Sequence, residues 1–246
     1  MKWLASAGII AILSGCGAAG HGPHWSYEGE TGPKHWGSLA KEYGICQSGV
    51  EQSPIDLKVT KEKSGKQLSF SYQPTDIDVV NNGHTIKFNY KPGSFLHVDG
   101  KKYELKQFHY HVPSEHTVNG GHFPIEIHLV HQDEEGHLAV VGVMIKEGKT
   151  NPAFESLIEY LPYKSGEKIR EKEVTINMSA LLPKHSGRFF HYRGSLTTPP
   201  CSESVEWFVL TEPIRLSDDQ ITEFTRIYQE NNRPVNPLGS RTLYLD

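Results

Sequence analysis

Two segments of the chain carry imidazoles at spacings that suit metal chemistry. Extended backbone over Lys101 to Val112 would send alternate side chains to opposite faces. Tyr103, Leu105, Gln107, His109 and His111 would then share one face, and Glu104, Phe108 and Tyr110 the other. That places His109 and His111 about 6 to 7 Å apart. In Pro124 to His131 the same rule groups Glu126, His128 and Val130 and puts Ile125, Ile127, Leu129 and His131 on the reverse. If the two strands are antiparallel neighbours joined through Thr117 to Phe123, three rings converge on one point. Three neutral nitrogens leave the fourth corner of a zinc tetrahedron for water, which is the catalytic kind of zinc site and not the closed structural kind. Gln107 shares the face of His109 and Glu126 that of His128, and each could accept an N–H from a ligating ring and fix its tautomer. A carboxylate beside a core strand is costly without such a partner.

The sequence has 14 His, so an H-x-H pair can arise by chance. His21, His24, His35, His97, His116, His122, His131, His137, His185 and His191 are read as exposed or packing residues. The chain of 246 residues fits one large domain or two small ones. With 25 basic and 29 acidic residues the formal charge is −4, which argues against a nucleic-acid partner. No apolar run reaches the roughly 18 to 20 residues that span a bilayer.

Lys2, the apolar stretch Trp3 to Leu13, and the small residues Gly15, Gly17, Ala18 and Ala19 have the form of an export signal over residues 1–19. Leu13-Ser14-Gly15-Cys16 resembles a bacterial lipobox, in which Cys16 is lipidated and becomes the first mature residue; cleavage after Ala19 is the alternative. Either way Cys46 and Cys201 remain as a single pair in an oxidising periplasm or cell envelope, bridged or present as free buried thiols. Membrane contact is expected only through the N-terminal lipid.

The elements that must position the histidines read as mainly β. Short strands are expected over Leu68–Tyr72, Asp76–Asn81, Thr85–Tyr90, Phe95–Val98, Lys101–Val112, Pro124–His131, Leu138–Lys146, Arg188–Tyr192 and Val205–Leu210. Two helices accompany them. Asn151 caps one over Pro152–Leu161, and Ser217 with Gln220 forms a capping box for one running to about Gln229. Trp25 to Trp36 lacks periodicity and is expected to pack as irregular chain. No repeat or long linker breaks the stretch 25–246, which reads as one domain.

Several motifs together resemble the α-class carbonic anhydrases. They are Gln107-Phe108-His109-Tyr110-His111, Ser114-Glu115-His116, Glu126-Ile127-His128-Leu129-Val130-His131, and Gly194-Ser195-Leu196-Thr197-Thr198-Pro199-Pro200-Cys201 with Trp207. Gln52-Ser53-Pro54-Ile55, Asn81-Asn82-Gly83-His84 and Asn232-Arg233-Pro234 match as well, in order and spacing. The resemblance implies a central twisted, mostly antiparallel sheet of about ten strands. It also implies reversible hydration of carbon dioxide to bicarbonate and a proton, by attack of a zinc-bound hydroxide held on His109, His111 and His128. Thr197 and Glu115 would orient the nucleophile, and His84 would carry the proton. Val130, Val140, Leu196, Val205 and Trp207 would form an apolar wall for carbon dioxide. Tyr27, Asn82, His84 and Thr198 would line the polar side. The resemblance further implies a Cys46–Cys201 disulfide and binding of anions or sulfonamide-type inhibitors at zinc, and it allows a homodimer. Two departures concern only the cavity: Val112-Pro113 follows His111 where vertebrate members have Trp-Gly, and Lys87 replaces a small polar residue.

Two other readings compete. A metal-dependent cupin also uses H-x-H followed by Glu at the spacing of His109, His111 and Glu115, with Fe or Mn as the metal. It lacks the upstream glycine and leaves Gly194 to Cys201 unexplained. A non-catalytic zinc-binding module of the same fold would be expected to have lost part of the ligand set, Glu115 or Thr197, all of which are present.

Overall fold

A computed structural model describes residues 23–246; the expected export signal, with Cys16, lies outside the described residues. The strands in chain order are β1 (Asp56–Leu57), β2 (Leu68–Ser71), β3 (Thr75–Asn81), β4 (Ile86–Asn89), β5 (Phe95–Val98), β6 (Lys101–His111) and β7 (Thr117–Val118). They continue as β8 (Ile125–Gln132), β9 (Leu138–Glu147), β10 (Lys168–Ile176), β11 (Phe189–Ser195), β12 (Glu203–Leu210), β13 (Ile214–Leu216) and β14 (Tyr244–Leu245). Twelve of them make one twisted sheet in the order β10-β3-β4-β6-β8-β9-β12-β11-β14, with β13 beside β9 and the β2-β5 pair beside β6. Its pairings are antiparallel except those of β9 with β12 and with β13. The site strands β6 and β8 are central. The β8 side chains are buried on both faces apart from partial exposure of Val130 and Gln132, which explains why apolar residues dominate one face of β8 and most of β9.

The β6–β8 register is antiparallel, but it shifts between Leu105 and Gln107, where Lys106 is the extra residue of a bulge. A bulge resets the alternation. Tyr103 and Leu105 therefore pack in the same core cluster as Phe108 and Tyr110, opposite to the face of Gln107, His109 and His111 on which uninterrupted alternation had placed them. The second cluster, on the site face, includes Ile55, Val140, Val205 and Trp207.

The helices are shorter than their sequence patterns. Asn151 Oδ1 accepts from the Ala153 N–H, but a 3₁₀ turn over Pro152–Phe154 precedes an α-helix of only Glu155–Glu159. The Ser217–Gln220 capping box forms, and its helix spans Asp218–Thr225. It stops before Gln229 because the chain leaves the axis to pair Asn231 with Val112. Strand β10 escaped the sequence pattern because its edge position carries Lys168, Arg170, Glu171, Lys172 and Glu173 where a central strand would carry apolar residues. Trp25 to Trp36 is mostly irregular, with one 3₁₀ turn at Gly29–Thr31, and packs with Tyr43 and the Cys46–Cys201 disulfide.

His131 lies on the reverse face of β8, fully buried, with Nε2 2.8 Å from the Tyr72 hydroxyl and Nδ1 3.2 Å from the Ala139 carbonyl. A carbonyl can only accept, so Nδ1–H donates to it and Nε2 accepts from tyrosine. Burial lowers the His131 pKa to about 3. The fold thus requires its neutral form, so its contribution to stability is complete above the ordinary imidazole pKa and is lost as pH falls from there toward about 3. Urea denaturation at stepped pH should show His131→Gln losing stability less steeply than the parent between pH 6 and 4. The difference in slope should approach about 1.4 kcal/mol per pH unit; parallel curves would show that His131 does not carry this dependence.

Candidate metal centre and active site

His109 and His128 face each other directly across β6 and β8, and His111 stands opposite Glu126. The three rings have centroids 4.7 to 5.3 Å apart and bring one nitrogen each to within 4.8 Å of the others. Two of the rings are oriented by hydrogen-bond acceptors, and the third lies against a carboxylate. His109 Nδ1 donates to Gln107 Oε1 at 2.8 Å, and His111 Nδ1 donates to the Asn231 carbonyl at 2.6 Å. His128 Nε2 lies 3.0 Å from Glu126 Oε1, which leaves its Nδ1 toward the other rings.

The electrostatics suit a cation. Burial, then His111, His128 and Lys87, hold His109 well below the ordinary imidazole range. Burial also lowers His111. At His128 burial acts in the same direction, but Glu126 and then Glu115 outweigh it and raise that ring. His109 and His111 thus offer neutral nitrogens, and His128 stands beside buried negative charge that attracts a cation. His111 Nε2 is buried with no hydrogen-bond partner among the described residues, a state that a metal bond relieves. On the donor set and this orphan atom, the triad fits zinc.

Glu126 is fully buried and holds more than His128. Its Oε1 accepts from His116 Nδ1 at 2.7 Å, and its Oε2 accepts the backbone N–H groups of Glu115 and His116 at 2.9 and 2.8 Å. His116 and then His128 overcome the effect of burial and hold this carboxyl well below its usual range. The chain of contacts continues from His116 Nε2 to the Tyr192 hydroxyl at 2.7 Å, and from there to Ser53 at 2.8 Å. His116, read from sequence as a packing residue, is therefore a link in the network behind the triad. Gly142, opposite His128 on β9, makes the room: a Cβ there would lie 2.9 Å from Glu126 Oε1, which its partners pin in place.

Glu115 Oε1 accepts the backbone N–H of Arg233 at 2.8 Å. Its Oε2 is buried without a hydrogen-bond partner, 3.5 Å from His111 Nε2 and 3.8 Å from His128 Nδ1. Thr197 is buried in the loop after β11, and the hydrogen bond expected between it and Glu115 is not formed in this structure. That loop is closed by Leu196 N–H to Ser202 and Cys201 N–H to Thr198, and it is tied to the N-terminal segment by the disulfide. Arg233, 3 % exposed, donates to the Cys46 and Ser53 carbonyls and to Gln52 Oε1.

Residues 31–245 match the eukaryotic-type carbonic anhydrase family. The chain belongs to that family. It is 43 % identical over 223 residues to a carbonic anhydrase of Nostoc sp., covering 89 % of this chain and 84 % of that one. It is 41 % identical over 242 residues to a carbonic anhydrase of Neisseria gonorrhoeae, covering 97 % and 95 %. Among solved structures, the α-carbonic anhydrase of Thermovibrio ammonificans in complex with sulfanilamide superposes with a TM-score of 0.86. That match has 45 % identity and covers 91 % of this chain and 99 % of that one. The cupin reading and the non-catalytic reading are accordingly set aside.

The residues that the family resemblance assigns to two walls differ in chemical character. Val140, Val205 and Trp207 are buried in one cluster, with partly exposed Val130 and Leu196 packed against it, and Trp207 Nε1 donates to the Ser195 carbonyl. On the other side, the Tyr27 hydroxyl is buried without a partner, and burial, then Glu115, raise its pKa so that it stays protonated. Thr198 is partly exposed. Asn82, expected on the polar wall, is exposed and spends its carboxamide oxygen on the N–H groups of His84 and Thr85. His84 is half-buried and stacks on Trp25, with centroids 3.7 Å apart and planes 7° from parallel. Burial and then His24 lower its pKa.

Proposed function

We propose that this carbonic anhydrase hydrates carbon dioxide reversibly to bicarbonate and a proton, with zinc held by His109, His111 and His128. The observation that carries this reading is the converged triad: three rings, two with their outward nitrogens bonded to Gln107 and the Asn231 carbonyl and the third against Glu126, with His111 Nε2 left unpartnered. When bound there, zinc supplies Lewis acidity that brings the ionisation of water near neutral pH, a general property of such centres in this family.

The other roles belong to the chain. An ionised Glu115 can only accept, so its free Oε2 is the acceptor to which the Thr197 hydroxyl would donate, a contact not made in this structure, turning a lone pair toward the cavity to aim the nucleophile. The Thr197 N–H then meets the anionic product, and Thr198 and the Tyr27 hydroxyl complete the polar side. Val130, Val140, Leu196, Val205 and Trp207 give neutral carbon dioxide an apolar seat. Gln107 and Glu126 hold the tautomers of His109 and His128. His84 takes the proton to solvent, its lowered pKa keeping the ring free to accept at neutral pH. Anions and aromatic sulfonamides are expected as inhibitors, as the sulfanilamide complex of the Thermovibrio relative suggests.

Residues 1–19 are proposed as an export signal of lipoprotein type, with Cys16 as the acylated first mature residue and 25–246 as the domain delivered to the periplasm or cell envelope. The Cys46–Cys201 disulfide supports an oxidising compartment. No helix among the described residues is long and apolar enough to cross a membrane.

Stopped-flow hydration should vanish after dialysis against a zinc chelator and return when zinc is restored. Undiminished activity in zinc-free protein, or full zinc occupancy in His128→Ala, would overturn the assignment. His84→Ala should lower kcat roughly tenfold to a hundredfold, with kcat/KM for hydration nearly unchanged and imidazole buffer restoring the rate. Equal losses in both parameters, without rescue, would make His84 a turn residue only. Labelled palmitate should enter the parent and not Cys16→Ser; an unlabelled parent whose N-terminus maps to Gly20 would point to ordinary cleavage.

A further inference from the structure

The cross-strand register draws one rung straight through the site. Lys168 on β10 faces Val80 on β3, which faces Lys87 on β4; Lys87 faces His109, His109 faces His128, and His128 faces Gly142. Directly opposed residues share a face of the sheet. The Lys87 side chain therefore rises on the same side as the imidazoles, with its Cα about 5 Å from that of His109. Lys87 is half-buried, and among the described residues its ammonium makes no hydrogen bond or ion pair.

The carboxylates of that face are already committed elsewhere. Asp78 accepts from Asn89 at 3.2 Å and lies 3.4 Å from Arg170 Nε, and Asp76 is paired with Lys91. Lys168, exposed and likewise unpaired among the described residues, stands two strands further out, about 10 Å away along the same rung. An unpaired, partly desolvated ammonium attracts anions more strongly than one in bulk water. The metal site, meanwhile, exchanges a neutral molecule for an anionic one in every turnover.

We propose that Lys87, with Lys168 as its outer step, is an anion-selecting residue of this cavity. It holds bicarbonate and other small monoanions beside the triad and leaves the affinity for neutral carbon dioxide untouched. The ammonium acts as a point charge on the polar flank, opposite the apolar wall, so the cavity separates substrate and product by charge. The inference rests on the carbon dioxide hydration reading.

The test uses thiocyanate, a monoanion that does not react, titrated calorimetrically into the zinc-loaded enzyme at low ionic strength. Lys87→Gln should bind it about threefold to tenfold more weakly than the parent, Lys87→Glu more weakly still, and Lys87→Arg at nearly parental affinity. Added salt should weaken parental binding more steeply than that of Lys87→Gln. Lys168→Gln should show a smaller loss in the same direction. Thiocyanate affinities within about 1.5-fold across the parent, Lys87→Gln and Lys87→Glu, in proteins with matching thermal melts, would overturn the role of Lys87. If the parent still hydrates carbon dioxide, that result leaves the enzymatic reading intact. A parent without hydration activity overturns the enzymatic reading, while the titration, which needs no turnover, still decides whether Lys87 selects anions.

Discussion

The site depends on a buried carboxylate. Glu126 has no access to water, and a charge in that position persists only when its lone pairs are matched by donors held in place. Three donors bond it, the N–H groups of Glu115 and His116 and the His116 ring, and the His128 ring stands 3.0 Å from Oε1. Those contacts fix the turn after β6, orient the imidazole most attractive to positive charge, and require glycine at position 142. Loss of one donor would leave a lone pair of this buried charge unmatched, where a hydrogen bond to a charged group is worth about 1.5 to 3 kcal/mol. The setting of His128 thus follows from this one group, whereas His109 and His111 are oriented by Gln107 and the Asn231 carbonyl.

The alternation of β6 and β8 was legible because a strand has a period of two and the site lies on one face of each. Gln107 and Glu126 could be read as partners of His109 and His128 for the same reason. The bulge at Lys106 could not, since a lysine on an exposed edge of the pattern looks like any other, and it reversed the assignment of Tyr103 and Leu105. The Asn231 carbonyl and the Arg233 N–H were invisible for a different reason. Nearly every residue carries those backbone groups, so only the fold can say which ones meet His111 and Glu115. His116 was hidden by abundance, in a chain with 14 histidines. The turn bonds of the Asn82 carboxamide oxygen were hidden too, since an Asn before Gly can serve its own turn as well as a cavity.

The cavity is asymmetric by construction. The second core cluster supplies an apolar wall from β8, β9 and β12, all central strands with little contact with water. Strands β3, β4 and β10 lie toward one edge of the sheet, and on the proposed reading they carry the charged part of the polar flank, Lys87 and Lys168. A gradient in burial across one sheet therefore becomes a gradient in polarity across one cavity.

The partner of His111 lies 120 residues further along the chain, and that of Glu115 lies 118 residues further. All three imidazoles have been delivered by position 128, just past the middle of the polypeptide, yet the contact that orients His111 and the one that holds Glu115 arrive with the final strand-linking segment. A ribosome or a translocation channel delivering this protein from its N-terminus would release the histidines long before the groups that aim them. The complete ligand geometry is thus reserved for a chain that has been delivered almost whole, and a fragment ending before Asn231 would carry all three imidazoles without a finished centre.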